Sequence, residues 1–330
     1  MQNKTLILTR RDIASVLSMR RVITIVERAF IAHCRHTVQM PPKIYIHLEK
    51  YCGDFRAMPA YIENPEACGI KWVNVHPLNT GRGTPAVMAL IILSNPRTGF
   101  PLAVMDGTYI TNYRTGASGG IAAKYLARKE SETVGFIGCG TQAFYQLLAL
   151  NEIFHLKAVF IYDSDARQVE RFNRRCRELG IKAFKAKDAE GCVRDKDIIV
   201  TTTPSRKPIV KAAWVKKGAH INAIGADARG KEELEALLLH GAKVVVDDIT
   251  QAIHSGEINV PVAQKTWNAS RIHATLGQVI TGARRGRNSP EDITIFDSTG
   301  LAIQDIAVAE YVYRAALRRG GIASKVDFRG

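Results

Sequence analysis

The segment Gly138-Cys139-Gly140-Thr141-Gln142-Ala143 constrains this chain more than any other stretch. Its form, Gly-x-Gly-x-x-Ala, is common, and its weight comes from its surroundings. A short apolar run, Thr133–Ile137, leads into it, a helical pattern follows, and an acid, Asp163, closes the next apolar run. A strand–turn–helix of this kind binds a dinucleotide. Gly138 permits the tight turn, Gly140 lets the backbone approach a pyrophosphate, and Ala143 keeps the helix close to the sheet. The helix start then offers N–H groups and a partial positive charge to the phosphates. Asp163 stands 25 residues after Gly138, somewhat beyond the usual ~20, and the intervening helix is long enough to account for that. A carboxylate there accepts from a ribose 2′-hydroxyl and repels a 2′-phosphate. NAD is therefore expected over NADP, with Arg167 softening the preference.

Strand and helix signals alternate on either side of this turn. The spacing predicts a helix over Gln142–Phe154, a buried strand over Ala158–Tyr162, and a helix over Ala166–Leu179 stopped by Gly180. Further strands are expected over Asp197–Thr201, Ala219–Ile224 and Lys243–Val246. Strands separated by helices imply an α/β fold with a parallel, doubly wound Rossmann sheet. The first 120 residues differ. Lys43–His47, Ala67–Val75 and Ala86–Leu93 are longer strand patterns, with turns at Asn64-Pro65, Asn79-Thr80-Gly81 and Asn95-Pro96. They suggest an α+β domain with a mixed or antiparallel sheet. The last helix, expected over Ala302–Arg318, carries Ile303, Ile306, Ala307 and Val308 and is expected to pack back onto that first domain. The organisation expected is a discontinuous domain of residues 1–120 and 306–330 with a Rossmann domain of residues 121–305.

At 330 residues the chain is too long for one ordinary core. No apolar run reaches the roughly 20 residues of a membrane span, and the N-terminal segment reads as an opening strand rather than a signal peptide. Neither a membrane nor an export role is expected. Six cysteines stand at 34, 52, 68, 139, 176 and 192 without a CxxC pair, so neither a metal site nor a redox dithiol is expected. They fit free thiols in a reducing cytoplasm. The net charge of +15 gathers at Arg171/Arg174/Arg175/Arg177 and Arg284/Arg285/Arg287. These clusters lack interleaved aromatics, so nucleic acid is not the expected partner; a positive field also favours an anionic cofactor and a carboxylate substrate.

Four segments are polar beyond structural need: Lys43 in MPPKIY with Arg56 in FRAMPA, Lys71 in GIKWVN ahead of His76-Pro77, Arg114 in YRTGA, and Asp227 in INAIGAD. Lys71 interrupts an apolar strand pattern and either points to solvent or faces a cleft. Asp227 follows a Rossmann strand at its carboxyl end, where ligands of open α/β sheets bind, and equally suits a turn before Gly230. Lys43 and Arg56 equally suit a solvated surface, His76 a turn, and Cys139 a filler of the glycine turn.

Lined up, these segments and the strings NPRTGFPLAVMDGTY, RTGASGGIAAKYLA, GFIGCGTQA, TTTPSRKP, GAHINAIGAD, GEINV and TIFDSTGLAIQD run almost end to end. The chain resembles the ornithine cyclodeaminase/mu-crystallin family, and within it the archaeal type of alanine dehydrogenase. The resemblance implies a homodimer in which the first domain and the last helix supply the subunit contact and part of the active site. It implies NAD-dependent interconversion of L-alanine and pyruvate plus ammonia. Lys71 and Asp227 match catalytic positions. Arg56, Lys43 and Arg114 match substrate-side positions. Thr141, Gln142, Asp163, Lys231 and Ser298, with Arg114 again, match cofactor contacts beside Gly138 and Gly140. Cyclodeaminases carry a glutamate where Arg56 stands, which disfavours ornithine. Mu-crystallin-like members lack the aspartate matching Asp227. Relatives place a threonine at Ala86, which leaves the substrate open. Ornithine cyclisation, cyclic ketimine reduction and a non-catalytic NAD(P)H-binding role stand as the alternatives.

Overall fold

The computed structural model describes residues 4–328, which group into two compact units, residues 4–114 with 301–328, and residues 115–300.

The first unit is built on a mixed sheet. Strands β1 (Thr5–Leu8), β2 (Val38–Gln39), β3 (Ile44–Leu48), β4 (Gly53–Ile62), β5 (Ala67–Val75), β6 (Val87–Ser94) and β7 (Pro101–Asp106) join a short strand, Ser324–Val326. Strands β4 to β7 form an antiparallel run, β3 pairs with β4, and β1 lies parallel to β7. Strand residues alternate between faces. Met58, Ala60, Ile62, Lys71, Val73, Ala89, Ile91 and Leu93 occupy the buried face, against which the last helix, Ala302–Arg319, packs. Helix Met19–Cys34 packs on the last helix through a stripe that buries Val22, Ile23, Val26 and Phe30; Ser18 caps it by accepting from the Arg21 N–H. The opposite sheet face is also apolar, yet open. Ile44, Trp72, Leu90 and Ile92 are 62, 41, 54 and 41% exposed. Strands apolar on both faces are ordinarily covered on both.

The second unit carries the α/β fold. Its strands are β8 (Thr133–Ile137), β9 (Ala158–Tyr162), β10 (Ala183–Lys185), β11 (Ile198–Thr201), β12 (Arg206–Val210), β13 (His220–Ala223), β14 (Glu232–Leu234), β15 (Ala242–Val246), β16 (Ala274–Thr275) and β17 (Ile293–Asp297). All but β12 and β14, which pair with each other, form one parallel sheet in the order β10-β9-β8-β11-β13-β17-β15-β16. The chain enters at β8, winds outward to β10, then returns to β11 and winds the other way. The order reverses between β8 and β11, the point at which ligands of doubly wound sheets bind.

Several boundaries depart from those the sequence predicts. Strand β6 begins at Val87 rather than Ala86, because the Ala86 carbonyl accepts from the His76 N–H at 2.7 Å and closes the preceding turn. Strand β3 is Ile44–Leu48, which leaves Lys43 ahead of it. The helix after the glycine turn, Thr141–Asn151, stops short of Phe154, whose N–H turns back to the Leu150 carbonyl. The units divide at Arg114/Thr115 and Gly300/Leu301, within or beside helices Gly107–Leu126 and Ala302–Arg319. The first of these helices is rich in glycine and is not apparent in the sequence. Its glycines serve packing: a Cβ at Gly116 would lie 2.3 Å from the Tyr145 carbonyl oxygen, and one at Gly119 would lie 1.9 Å from Gln146 Oε1.

Candidate functional site

In the first unit, Lys71 sits on the buried face of β5 with 1% of its surface exposed. This decides the question its strand pattern leaves open. Its Nζ lies 2.6 Å from Asp305 Oδ2 and 3.4 Å from Thr111 Oγ1. Asp305, fully buried on the last helix, also accepts from Arg114 Nε at 3.0 Å, while Arg114 Nη1 donates to Gln304 Oε1 at 3.1 Å. Two cations thus share one carboxylate. Burial is the main reason that the Lys71 pKa falls to about 7; the Arg114 guanidinium adds to the fall, Asp305 opposes it, and Lys43 lowers it further. A lysine so placed exchanges protons near neutral pH.

Arg56 is 4% exposed and faces the same side of the sheet from β4. Asp54 holds its guanidinium with two bonds, Nε to Oδ1 at 2.7 Å and Nη2 to Oδ2 at 3.2 Å. The guanidinium carbon stands 5.2 Å from the Tyr45 ring centroid, so the group is fixed on its edge and on its face. Lys43 is half-buried and near enough to act on Lys71. The structure therefore brings Lys43, Lys71 and Arg114 together. It adds two acids that sequence reasoning passed over, Asp54 and Asp305. The signal for Asp305 was its place on the apolar stripe of the last helix, next to Ile306, where a solvent-facing acid does not belong.

In the second unit, Gly138 adopts φ 87°, a left-handed conformation that favours glycine. Its N–H donates to the Tyr162 carbonyl at 2.9 Å, and its carbonyl accepts from the Thr202 hydroxyl at 3.0 Å. Gly140 precedes the helix Thr141–Asn151 and no side chain caps that helix start. A Cβ at Gly140 would meet nothing within 4 Å. Open space thus adjoins a helix start that no side chain caps, which fits a pyrophosphate. Asp163, at the end of β9, accepts from the N–H of Cys139 at 2.8 Å and of Asp165 at 2.9 Å, so it also braces the glycine turn. Ser298 is 3% exposed, and its hydroxyl has no hydrogen-bond partner among the described residues. An orphaned polar group beyond a strand's carboxyl end fits a ligand contact. Cys139 is buried, and burial together with Asp163 pushes its thiol well above the usual range, so it fills space and is no nucleophile.

Asp227 lies beyond β13 with a third of its side chain exposed, and Lys231 Nζ stands 2.6 Å from its Oδ1. Lys231, expected to meet a cofactor, is here the partner of Asp227. His76 Nδ1 accepts from the Asn74 side-chain NH₂ at 3.0 Å, and His76 leads into a short helical turn, a structural role.

A family model described as the ornithine cyclodeaminase/mu-crystallin family matches residues 3–320. The chain is 54% identical over 327 residues to an alanine dehydrogenase of Archaeoglobus fulgidus, covering 98% of this chain and 99% of that protein. A solved archaeal alanine dehydrogenase dimer with bound NAD superposes with a TM-score of 0.94 at 54% identity, covering 98% of this chain and 99% of that one. The Thermococcus litoralis Δ1-pyrroline-2-carboxylate reductase, solved with NADH and L-proline, superposes with a TM-score of 0.95 at 38% identity, covering 98% and 100%. The likeness extends over both units and all the segments that carry the site residues. The chain belongs to the ornithine cyclodeaminase/mu-crystallin family.

Proposed function

We propose that this chain is an NAD-dependent oxidoreductase that interconverts L-alanine with pyruvate and ammonia, and that it works as a homodimer. The observation that carries the reading is the 54% identity with an alanine dehydrogenase over 98% of the chain, in a protein whose Lys71 is buried and poised near neutrality. In the oxidative direction L-alanine, water and NAD⁺ become pyruvate, ammonium, NADH and a proton. Bound NAD⁺ would supply the acceptor for the α-hydrogen of the amino acid, which leaves as hydride.

The chain's own residues prepare and follow that transfer. Arg56, oriented by Asp54, clamps the substrate carboxylate, with Lys43 and Arg114 in support. Lys71 in its neutral form takes the proton of the substrate ammonium, so that a lone pair is available on nitrogen. In the reverse direction its charged form polarises the keto oxygen of pyruvate. Asp227 takes a proton from the water that attacks the imine carbon. Gly138, Gly140, Thr141 and Gln142 hold the pyrophosphate, Asp163 the adenosine ribose, and Lys231 and Ser298 complete the cofactor contacts.

A second copy covers the open apolar face of the first unit's sheet in this reading. No helix of the described residues is long and apolar enough to cross a membrane. A cytoplasmic location suits six cysteines without a disulfide and the use of NAD.

The likeness to the pyrroline-carboxylate reductase favours a second reading, reduction of a cyclic imine, which needs the same hydride step but starts from a ring. Purified protein with NAD⁺ and L-alanine is expected to form NADH and pyruvate in equal amounts. NADH consumption with Δ1-pyrroline-2-carboxylate but no reaction with alanine supports the second reading. Proline from ornithine without net NADH supports a cyclodeaminase, and binding of NADH with no turnover of any amino or keto acid supports a carrier.

A further inference from the structure

Strands β11, β13 and β17 lie side by side in the parallel sheet, and the loops leaving their carboxyl ends contain Thr203, Asp227 and Ser298. Three buried acids tie these loops in series. Asp297, the last residue of β17, accepts from the N–H of Glu257 at 2.8 Å and of Ile258 at 3.2 Å. The Glu257 carboxylate accepts from the N–H of Glu233 at 2.8 Å and of Leu234 at 2.7 Å. The Glu233 carboxylate accepts from the Thr203 N–H at 2.6 Å, the Thr203 hydroxyl at 2.8 Å, the Thr201 hydroxyl at 2.7 Å and the Gly225 N–H at 2.8 Å. Glu233 is fully buried and Glu257 is 1% exposed. Each donor to these two acids is a neutral hydroxyl or backbone N–H. Burial, and for Glu257 the nearby Glu233 carboxylate, raises both carboxyl pKa values.

Close-packed apolar residues would hold a fold together at less electrostatic cost. What the acids add is direction. Gly225 must be glycine at this place, since a Cβ would stand 2.1 Å from the Thr203 carbonyl oxygen and 2.6 Å from Glu233 Oε1. Two residues further along is Asp227. The other end of the same loop is fastened by Asn259, whose amide donates to the Lys231 carbonyl at 2.8 Å and whose oxygen accepts from the Gly230 N–H at 2.8 Å.

We propose that Glu233 is a positioning residue for the reaction: its carboxylate pins Gly225 to Thr203 and so sets where Asp227 presents its carboxylate, with Glu257 and Asp297 anchoring Glu233 to β17. The proposal rests on the reading of Asp227 as an acid–base group. A catalytic group misplaced by about 1 Å can lose about 100-fold in rate. Glutamine in place of Glu233 cannot serve the loop equally. The Thr203 and Gly225 N–H groups approach different oxygens, so either amide orientation turns an NH₂ toward one of them.

The test is a double-mutant cycle on the full-length protein, with Glu233→Gln, Asp227→Ala and the pair. Turnover with alanine, KM for NAD⁺, NADH binding by fluorescence and the pH profile are measured for each. Glu233→Gln is expected to lower kcat about 10- to 100-fold while KM for NAD⁺ and NADH affinity stay within about threefold. In the Asp227→Ala background the same change is expected to cost less than about threefold, because the group it positions is gone. An equal loss in both backgrounds, with Asp227→Ala itself impaired, overturns the positioning role alone. A kcat for Glu233→Gln within about twofold of the parent also overturns it. Near-full activity of Asp227→Ala overturns the reading of Asp227, and the proposal with it. Should Glu233→Gln fail to fold, Thr203→Val removes one hydroxyl donor and keeps the carboxylate. It is expected to lower kcat about 3- to 10-fold, again only when Asp227 is present; no change, or the same loss without Asp227, counts against the proposal.

Discussion

Lys71 Nζ lies 2.6 Å from Asp305 Oδ2, and both side chains are closed off from solvent. The two residues are 234 positions apart in the chain. Asp305 opposes the burial and the Arg114 charge that together lower the Lys71 pKa to about 7. Removing it leaves only the lowering influences. Asp305→Asn is therefore expected to move the Lys71 limb of the kcat/KM profile to lower pH, by about 1–3 units. In the proposed mechanism neutral Lys71 is the active form for alanine oxidation, so activity is expected to rise with pH through that limb. A limb that stays in place, or moves up, would show that another group titrates there.

Lys71→Met tests function against stability. A well-placed acid–base group contributes about 10²–10⁴ in rate, and turnover is expected to fall by that factor with NADH binding intact. Stability is expected to hold or rise at pH 7, since Arg114 still partners Asp305 and a costly buried cation is gone. The sign of the linkage is fixed by the lowered pKa. Unfolded chains keep the Lys71 proton up to about 10.5 while the folded protein releases it near 7. The wild type thus gains stability from this group as pH rises across that window, and Lys71→Met loses that gain. Denaturant titrations at pH 7 and 9 read the difference between the two proteins.

Arg56 owes its orientation to Asp54. Asp54→Ala is expected to raise KM for alanine about tenfold through loss of the fixed fork, with a smaller effect on KM for NAD⁺. Steady-state kinetics with each substrate varied in turn separates the two. Equal KM changes for both substrates would count against a substrate-side role.

Asp163 braces the Cys139 N–H, and in the proposed reading it also excludes a 2′-phosphate. Asp163→Asn retains an acceptor for the turn but removes the charge. The ratio of kcat/KM for NAD⁺ over NADP⁺ is expected to drop on the order of 10- to 100-fold, as for removal of a like-charge clash. Arg167, held by Asp165 at 3.1 Å, then has a phosphate to meet.

The open face of the first sheet makes an oligomer prediction. Trp72→Glu with Leu90→Glu places charges where a second copy is expected to sit, and light scattering is expected to show the dimer mass of the wild type lost in the variant. A wild type of single-chain mass would sink the dimer.

The glycine turn was legible because its requirements are local. A left-handed Gly138, an open flank at Gly140 and an acid at the end of the next strand are set within 25 residues. Strands such as Ala158–Tyr162 and Ala67–Val75 stood out because side-chain alternation or an unbroken apolar run fits nothing else of that length. The helix Gly107–Leu126 was not legible, since its glycines argue against a helix until the close approach of Tyr145 and Gln146 is known.

Local pattern by itself determined the parallel α/β sheet, the glycine turn and the segments that hold the candidate site residues. It could not say which face of β5 is inside. Ile70-Lys71-Trp72-Val73 is apolar on both sides, so period-two alternation leaves Lys71 pointing either way. Only the tertiary structure decided it, by laying a helix from the far end of the chain over the odd-numbered side chains. That helix buries Lys71, which lowers its pKa, and carries Asp305, the carboxylate that partly offsets the fall and makes a buried lysine tolerable.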